Sequence, residues 1–155
     1  EQAIDIYDST YKTKNEALNI VLMEKGLICK KNKIELTCII DASKLSFIKD
    51  NDIYSLFGNL LDNAIEAVKN LEQSKRVISL QIKNSGEFLI IKTYNNYNGK
   101  INFVNNLPIT TKEDKDYHGY GLKSINYIVK SYDGQMKIKT NNQVFDLTIL
   151  FQTNK

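Results

Sequence analysis

Apolar and polar positions alternate along this chain in two different periods, and the switches between them predict its elements. Residues 14–30 carry apolar side chains at 17, 18, 21, 22 and 28, the spacing of one helical face, with a predicted stop near Gly26. Residues 33–41 alternate and are rich in β-formers, which predicts a strand. A long helix is expected over 52–70, capped by Asn51-Asp52. Two strands, 74–83 and 87–94, are expected to turn at Asn84-Ser85-Gly86. Residues 95–118 are polar and irregular and hold the sole proline, Pro108. A helix over 120–132 follows, stopped by Asp133-Gly134, and strands 135–140 and 143–151 turn at Asn141-Asn142. This order predicts an α+β fold, a sheet covered on one face by helices.

Composition adds bounds and little else. A chain of 155 residues, 42% apolar and 25% charged, is globular and of single-domain length. Its net charge of +3 is spread along the chain, which argues against a nucleic-acid partner. Cys29 and Cys38 have neither metal-ligand nor redox spacing and read as two reduced thiols. No run of about 18 apolar residues would cross a membrane.

The helix over 52–70 carries the candidate chemistry. Asn59, Asn63 and Glu66 stand at i, i+4 and i+7 and share a face, while Leu56, Leu60, Ala64 and Ala67 form an adjacent apolar stripe. Two stacked carboxamides beside Asp62 and Glu66 make a row of oxygen donors suited to a hard cation such as Mg²⁺. Asp62 and Glu66 either orient metal-bound water or face solvent. Downstream, His118-Gly119-Tyr120-Gly121-Leu122 opens the next helix. Glycines there let backbone N–H groups approach an anion, and the helix N-terminus adds positive potential.

Taken together, Asn59-Leu-Leu-Asp-Asn63-Ala-Ile-Glu-Ala67 and Gly119-Tyr-Gly121-Leu122 resemble the N and G2 boxes of the GHKL ATP-binding fold. That superfamily is shared by gyrase B, the heat-shock chaperone ATPases, sensor histidine kinases and MutL. The likeness runs from about residue 30 to the end. Within the superfamily the chain looks most like the peptide-pheromone sensor kinases of the accessory-gene-regulator type. Lys14-Asn-Glu-Ala-Leu-Asn-Ile-Val-Leu22 followed by Glu24-Lys25 is similar to the segment joining their dimerisation helices to the ATPase domain. The resemblance implies a two-layer α/β sandwich, the Bergerat fold, with a mixed, mainly antiparallel sheet. It also implies that residues 1–31 end a dimerisation helix and linker, and that 32–155 form the ATP-binding domain.

The further expectations come from the same resemblance. ATP and Mg²⁺ are the implied ligands, with Asn63 ligating the metal through its amide oxygen and Asn59 supporting phosphates or metal-bound water. Where the family usually has Asp-x-Gly-x-Gly, this chain has Asn95-Asn-Tyr-Asn-Gly99. Asn95 then presents a neutral carbonyl oxygen to the adenine amino group. Thr111 and Lys112 match a lid motif, where Lys112 would reach a terminal phosphate. His118, the sole histidine, abuts the glycine turn as a lid hinge or phosphate neighbour. The phosphoacceptor histidine is expected on a separate dimerisation domain, with a response regulator downstream and a homodimeric, membrane-anchored receptor as parent. Hydrolytic relatives hold a glutamate where Asn59 stands, and a carboxamide is no general base, so phosphate donation is favoured over hydrolysis. A degenerate nucleotide-binding module, or a GHKL serine kinase or ATPase, is the alternative.

Overall fold

The computed structural model describes residues 2–5, 12–99, 102–104, 107–109 and 118–153, with side chains over 12–99 and 121–153. Strands β1 (Gln2–Asp5), β2 (Glu35–Ile40), β3 (Val77–Ser85), β4 (Phe88–Asn96), β7 (Gln135–Asn141) and β8 (Val144–Gln152) form one sheet in the order β1-β2-β3-β4-β8-β7. Only β2 and β3 pair in parallel; the other neighbours are antiparallel. Helices α1 (Glu16–Lys31), α2 (Asp50–Val68) and α3 (His118–Ser131) bury their apolar faces against it. The expected α+β sandwich with a mixed, mainly antiparallel sheet is what the chain adopts.

Strand alternation decides which face is covered. Leu36, Cys38 and Ile40, then Ile78, Leu80 and Ile82, then Phe145, Leu147, Ile149 and Phe151 all point into one core. Ala17, Leu18, Val21 and Leu22 of α1 belong to that same core, so α1 packs with the residues after it as one body. Burial pushes the Cys29 thiol up to about 12 and raises Cys38 as well, which keeps both as inert core residues.

Several boundaries differ from the pattern, each for a local reason. Helix α1 runs through Gly26, which is buried, and stops five residues later. Its end is a left-handed Lys33 (φ 55°), with Ile34 N–H bonded to Cys29 O at 2.8 Å. The end of α3 repeats this: Asp133 has φ 57° and Gly134 N–H bonds Val129 O at 2.8 Å. Gly134 is needed because a Cβ there would lie 2.6 Å from the Phe151 ring. Helix α2 begins at Asp50 after Lys49, with no side-chain cap, so Asp52 lies in the first turn rather than at the cap. Its carboxylate instead accepts the Tyr132 hydroxyl at 2.5 Å, which ties α2 to the end of α3.

Strand β3 begins at Val77 because Gln73–Lys75 coil into a 3₁₀ turn, and the β3–β4 hairpin turns at Gly86-Glu87, with φ +59° at Gly86. The last hairpin turns at Asn142-Gln143, both in the left-handed region. Between β4 and α3, read from the pattern as irregular, β5 (Asn102–Val104) pairs with β6 (Leu107–Ile109), and Pro108 sits in that two-stranded ribbon.

Candidate nucleotide site

Helix α2 lies against α1 on one flank and against α3 and β4 on the other. Its polar residues divide between these flanks. Asn59 and Asn63 are half-buried and share a face. The Asn59 amide nitrogen donates to Ser55 Oγ at 3.3 Å, one turn earlier, which fixes the direction of its amide oxygen. That oxygen faces Gly121: a Cβ built on Gly121 would stand 3.7 Å from Asn59 Oδ1. The asparagine helix and the glycine turn, sixty residues apart in sequence, are therefore in contact.

Gly119 and Gly121 both lie inside the first turn of α3, which begins two residues earlier than the pattern suggests. First-turn amide N–H groups have no intrahelical partner and carry the positive end of the helix dipole, so this turn offers donors to an anion. Leu122 is buried in the core and anchors the turn from beneath. His118, Gly119 and Tyr120 are described as α3 backbone. Thr111 and Lys112 lie outside the described residues.

Asn95 is the most unusual polar residue of the sheet. It is 3% exposed and points inward from β4, with Ile78 and Phe145 opposite it on the neighbouring strands. Its amide nitrogen donates to Asn96 O at 2.9 Å, while its amide oxygen is buried with no hydrogen-bond partner among the described residues. A buried, unpaired acceptor costs about 1–3 kcal/mol and calls for a reason, and a ligand donor that completes it is one such reason. Gly99, three residues beyond the strand end, has φ +88°, and a Cβ there would press on the Gln143 side chain at 3.3 Å. Glycine is favoured there by the backbone conformation, since the exposed Gln143 side chain can move aside. Tyr97 packs edge-on to Phe145 and bonds Gln143 O through its N–H at 3.0 Å, closing this end of the sheet beside Asn95.

Two expected contributors are engaged elsewhere. The Asp62 carboxylate receives Lys25 Nζ of α1 at 2.7 Å, so Asp62 faces the α1 flank and joins two helices. Lys25 also meets Glu24 at 3.0 Å, and its own side chain is 12% exposed. Burial alone would lower the Lys25 pKa, but the bonds to Asp62 and Glu24 outweigh it and hold the ammonium charged. Glu66 pairs with Lys69 at 2.7 Å one turn on, and Ala67 is half-exposed beside it. Ser55, which orients Asn59, and Lys25, which draws Asp62 away from the site, are the two partners that the motifs do not name. Ser55 stands at i−4 to Asn59, a signal that was there to use. Lys25 is 37 positions from Asp62, and nothing local pairs them.

Among the described residues, no group of three or more His, Cys, Asp or Glu side chains could hold a metal ion. A cation here would be held by a carboxamide such as Asn63 together with oxygens of its own ligand. That arrangement fits Mg²⁺ carried by a polyphosphate, since Mg²⁺ keeps few protein ligands when phosphates are present.

The fold agrees with structures of histidine kinase catalytic domains. The nucleotide-free catalytic domain of histidine kinase ThkA superposes with TM-score 0.66 at 14% identity, covering 99% of each chain. A second ThkA crystal form gives TM-score 0.63 at 14% identity, covering 98% of this chain and 96% of that one. The histidine kinase AdeS of Acinetobacter baumannii gives 0.61 at 14%, covering 97% of this chain and 73% of its own. No curated protein matches significantly by sequence. The profile of the GHKL domain matches residues 48–152, which span α2 through β8 and hold both the asparagine face and the glycine turn. On that match the chain belongs to the GHKL domain family.

Proposed function

We propose that this chain is the ATP-binding catalytic domain of a sensor histidine kinase, donating the γ-phosphate of ATP to a histidine on a separate dimerisation domain. The observation that carries this reading is the buried, unpaired amide oxygen of Asn95, held in the same domain as the Asn59–Gly121 contact. Asn95 accepts the adenine amino group. Asn63 holds Mg²⁺ through its amide oxygen, and the amides at Gly119 and Gly121 receive phosphate oxygens. When bound, Mg²⁺ neutralises charge on the phosphates. Asn59, oriented by Ser55, supports the phosphate side of the site and cannot deprotonate water, so the chain favours transfer over hydrolysis. Catalysis of this kind rests on positioning and charge, with little covalent chemistry asked of the protein.

In this reading residues 1–31 lead in from the dimerisation helices and 32–155 carry the nucleotide. Lys112 and Thr111 belong to a lid, and His118 is a hinge or phosphate neighbour. The parent is a homodimeric, membrane-anchored receptor of the peptide-pheromone type, used in quorum sensing, with a response regulator downstream. Its catalytic domain faces the cytoplasm. No helix of the described residues is long and apolar enough to cross a membrane.

The test is a titration with a non-hydrolysable ATP analogue, with and without Mg²⁺, beside Asn63→Ala. Metal-dependent binding that the variant loses supports the site. Label transfer from ATP to a supplied acceptor domain, giving an acid-labile product, supports the histidine. Binding without transfer would move the assignment to a nucleotide-sensing module, a reading that the neutral Asn95 favours. No binding at millimolar analogue would overturn the proposal.

A further inference from the structure

Helix α1 is apolar on two opposite faces, and only one of them is packed into the core of the described residues. Ala17, Leu18, Val21, Leu22 and Cys29 are in the core, and Lys25 on the same side is pinned by Asp62, so the helix cannot turn about its axis. On the far side Ile20, Met23 and Leu27 are 47%, 48% and 56% exposed. Three half-exposed aliphatic side chains on one stripe of one helix differ from scattered surface apolar residues.

Their spacing is informative. Glu16, Ile20, Met23, Leu27 and Lys30 follow one another at steps of 4, 3, 4 and 3 residues, the repeat of a coiled-coil seam. The apolar centre is closed by an acid at the N-terminal end and a base at the C-terminal end, both exposed. Read backwards, the seam is Lys30, Leu27, Met23, Ile20, Glu16. It therefore complements itself only when antiparallel: Glu16 meets Lys30, Ile20 meets Leu27, and Met23 meets Met23 on the twofold axis. In a parallel pair like charges would meet at both ends.

We propose that the outer face of α1 is a docking surface for the α1 of a second copy of this chain, in an antiparallel, twofold-symmetric contact. A twofold contact joins a patch to itself, which is the arrangement this order of charges permits. Three apolar side chains on each copy fall short of the roughly 800 Å² per partner of a stable interface, so the association is weak and concentration-dependent. A shared parent assembly that raises the local concentration of the two copies would strengthen it.

The test is sedimentation equilibrium of the whole chain at low salt, over concentrations up to about the millimolar range, with Glu16→Lys, Lys30→Glu and the double variant. A dimer that rises with concentration, weakens about tenfold or more in each single variant and recovers in the double is the expected result. The double variant keeps the end-to-end charge complement while placing both charges against the helix dipole. Recovery therefore cannot come from helix stability, and thermal melts of all three variants serve as the control. Met23→Cys should in addition give a symmetric disulfide dimer on oxidation, which Lys31→Cys on the flank should not. A chain that stays monomeric throughout, or a double variant that melts normally and does not recover, would overturn the inference.

Discussion

The α1 side of helix α2 and the end of the sheet beside α3 handle polar groups in opposite ways. Toward α1, Asp62 is charged and paired with Lys25 at 2.7 Å. Toward α3, Asn59 presents a carboxamide to Gly121, and on the nearby end of β4 the Asn95 amide oxygen has no hydrogen-bond partner among the described residues. A satisfied ion pair in a half-buried setting holds two helices in place and leaves nothing to offer a ligand. A buried acceptor left open does the reverse: it costs stability in the free domain and returns it when a donor arrives. Proximity in sequence hides this difference, since Asp62 pairs with α1 while Asn59, three positions before it, meets Gly121 of α3.

Asn95→Leu puts the greatest strain on that contrast. A leucine of similar size removes the unpaired oxygen from a buried setting between Ile78 and Phe145, so the free domain should gain up to about 1 kcal/mol in urea unfolding. The same change should weaken ATP-analogue binding by roughly 10- to 100-fold, the worth of one buried hydrogen bond to a ligand. Stability falling together with affinity would mean that Asn95 is structural. Lys25→Met makes the opposite cut. It leaves the Asp62 carboxylate unpaired, and because that carboxylate is 32% exposed the cost should be about 1–2 kcal/mol, below the full penalty of a buried pair. Analogue affinity should change by less than about twofold. A larger fall in affinity would erase the distinction between the flanks.

The sequence carried most of the fold and part of the candidate site's geometry, and what it did not carry has a common cause. Alternation and helical spacing predict every strand of the main sheet except the first, because those signals are local. Helix ends were less legible: Lys33 and Asp133 adopt the left-handed conformation usually given to glycine, while Gly26, the apparent stop, lies inside a helix. At the site, i and i+4 spacing predicts the shared face of Asn59 and Asn63. The destination of Asp62 depends on where α1 packs, and the unpaired state of Asn95 depends on everything around it. Neither is written in spacing. The β5–β6 ribbon falls in a polar stretch whose three-residue strands are too short to show a period.

Gly121 tests how close the two motifs must be. An alanine Cβ would sit at ordinary contact distance, 3.7 Å from Asn59 Oδ1, so Gly121→Ala should keep affinity within about twofold and stability within about 0.5 kcal/mol. Gly121→Val adds methyl groups that must displace the Asn59 amide, and affinity should fall roughly tenfold. If alanine and valine behave alike, the contact between the asparagine face and the glycine turn is not used in binding.

The smallest effect comes from a place where a second amide oxygen is buried and unpaired yet no site is built. At the far end of the sheet, Asn84 Oδ1 also lacks a partner, but Asn84 is half-exposed and its amide nitrogen reaches Ser43 Oγ at 3.5 Å. The nearby Asp41 accepts Ser43 N–H at 3.0 Å, and hydrogen bonds from Ser43 and Asn84 bring its carboxyl down to about 2. A folded-state pKa below the unfolded value of about 3.9 means a contribution that is complete above pH 4 or so. It is lost as pH falls toward about 2. Asp41→Asn should therefore flatten the acid limb of the stability curve between about pH 4 and 2, by ~0.5 kcal/mol after allowance for solvent screening, and leave analogue binding unchanged. Urea midpoints measured across that window decide it. An unchanged acid limb would mean that these polar groups are merely solvated, and a loss of analogue binding would extend the site to the wrong end of the sheet.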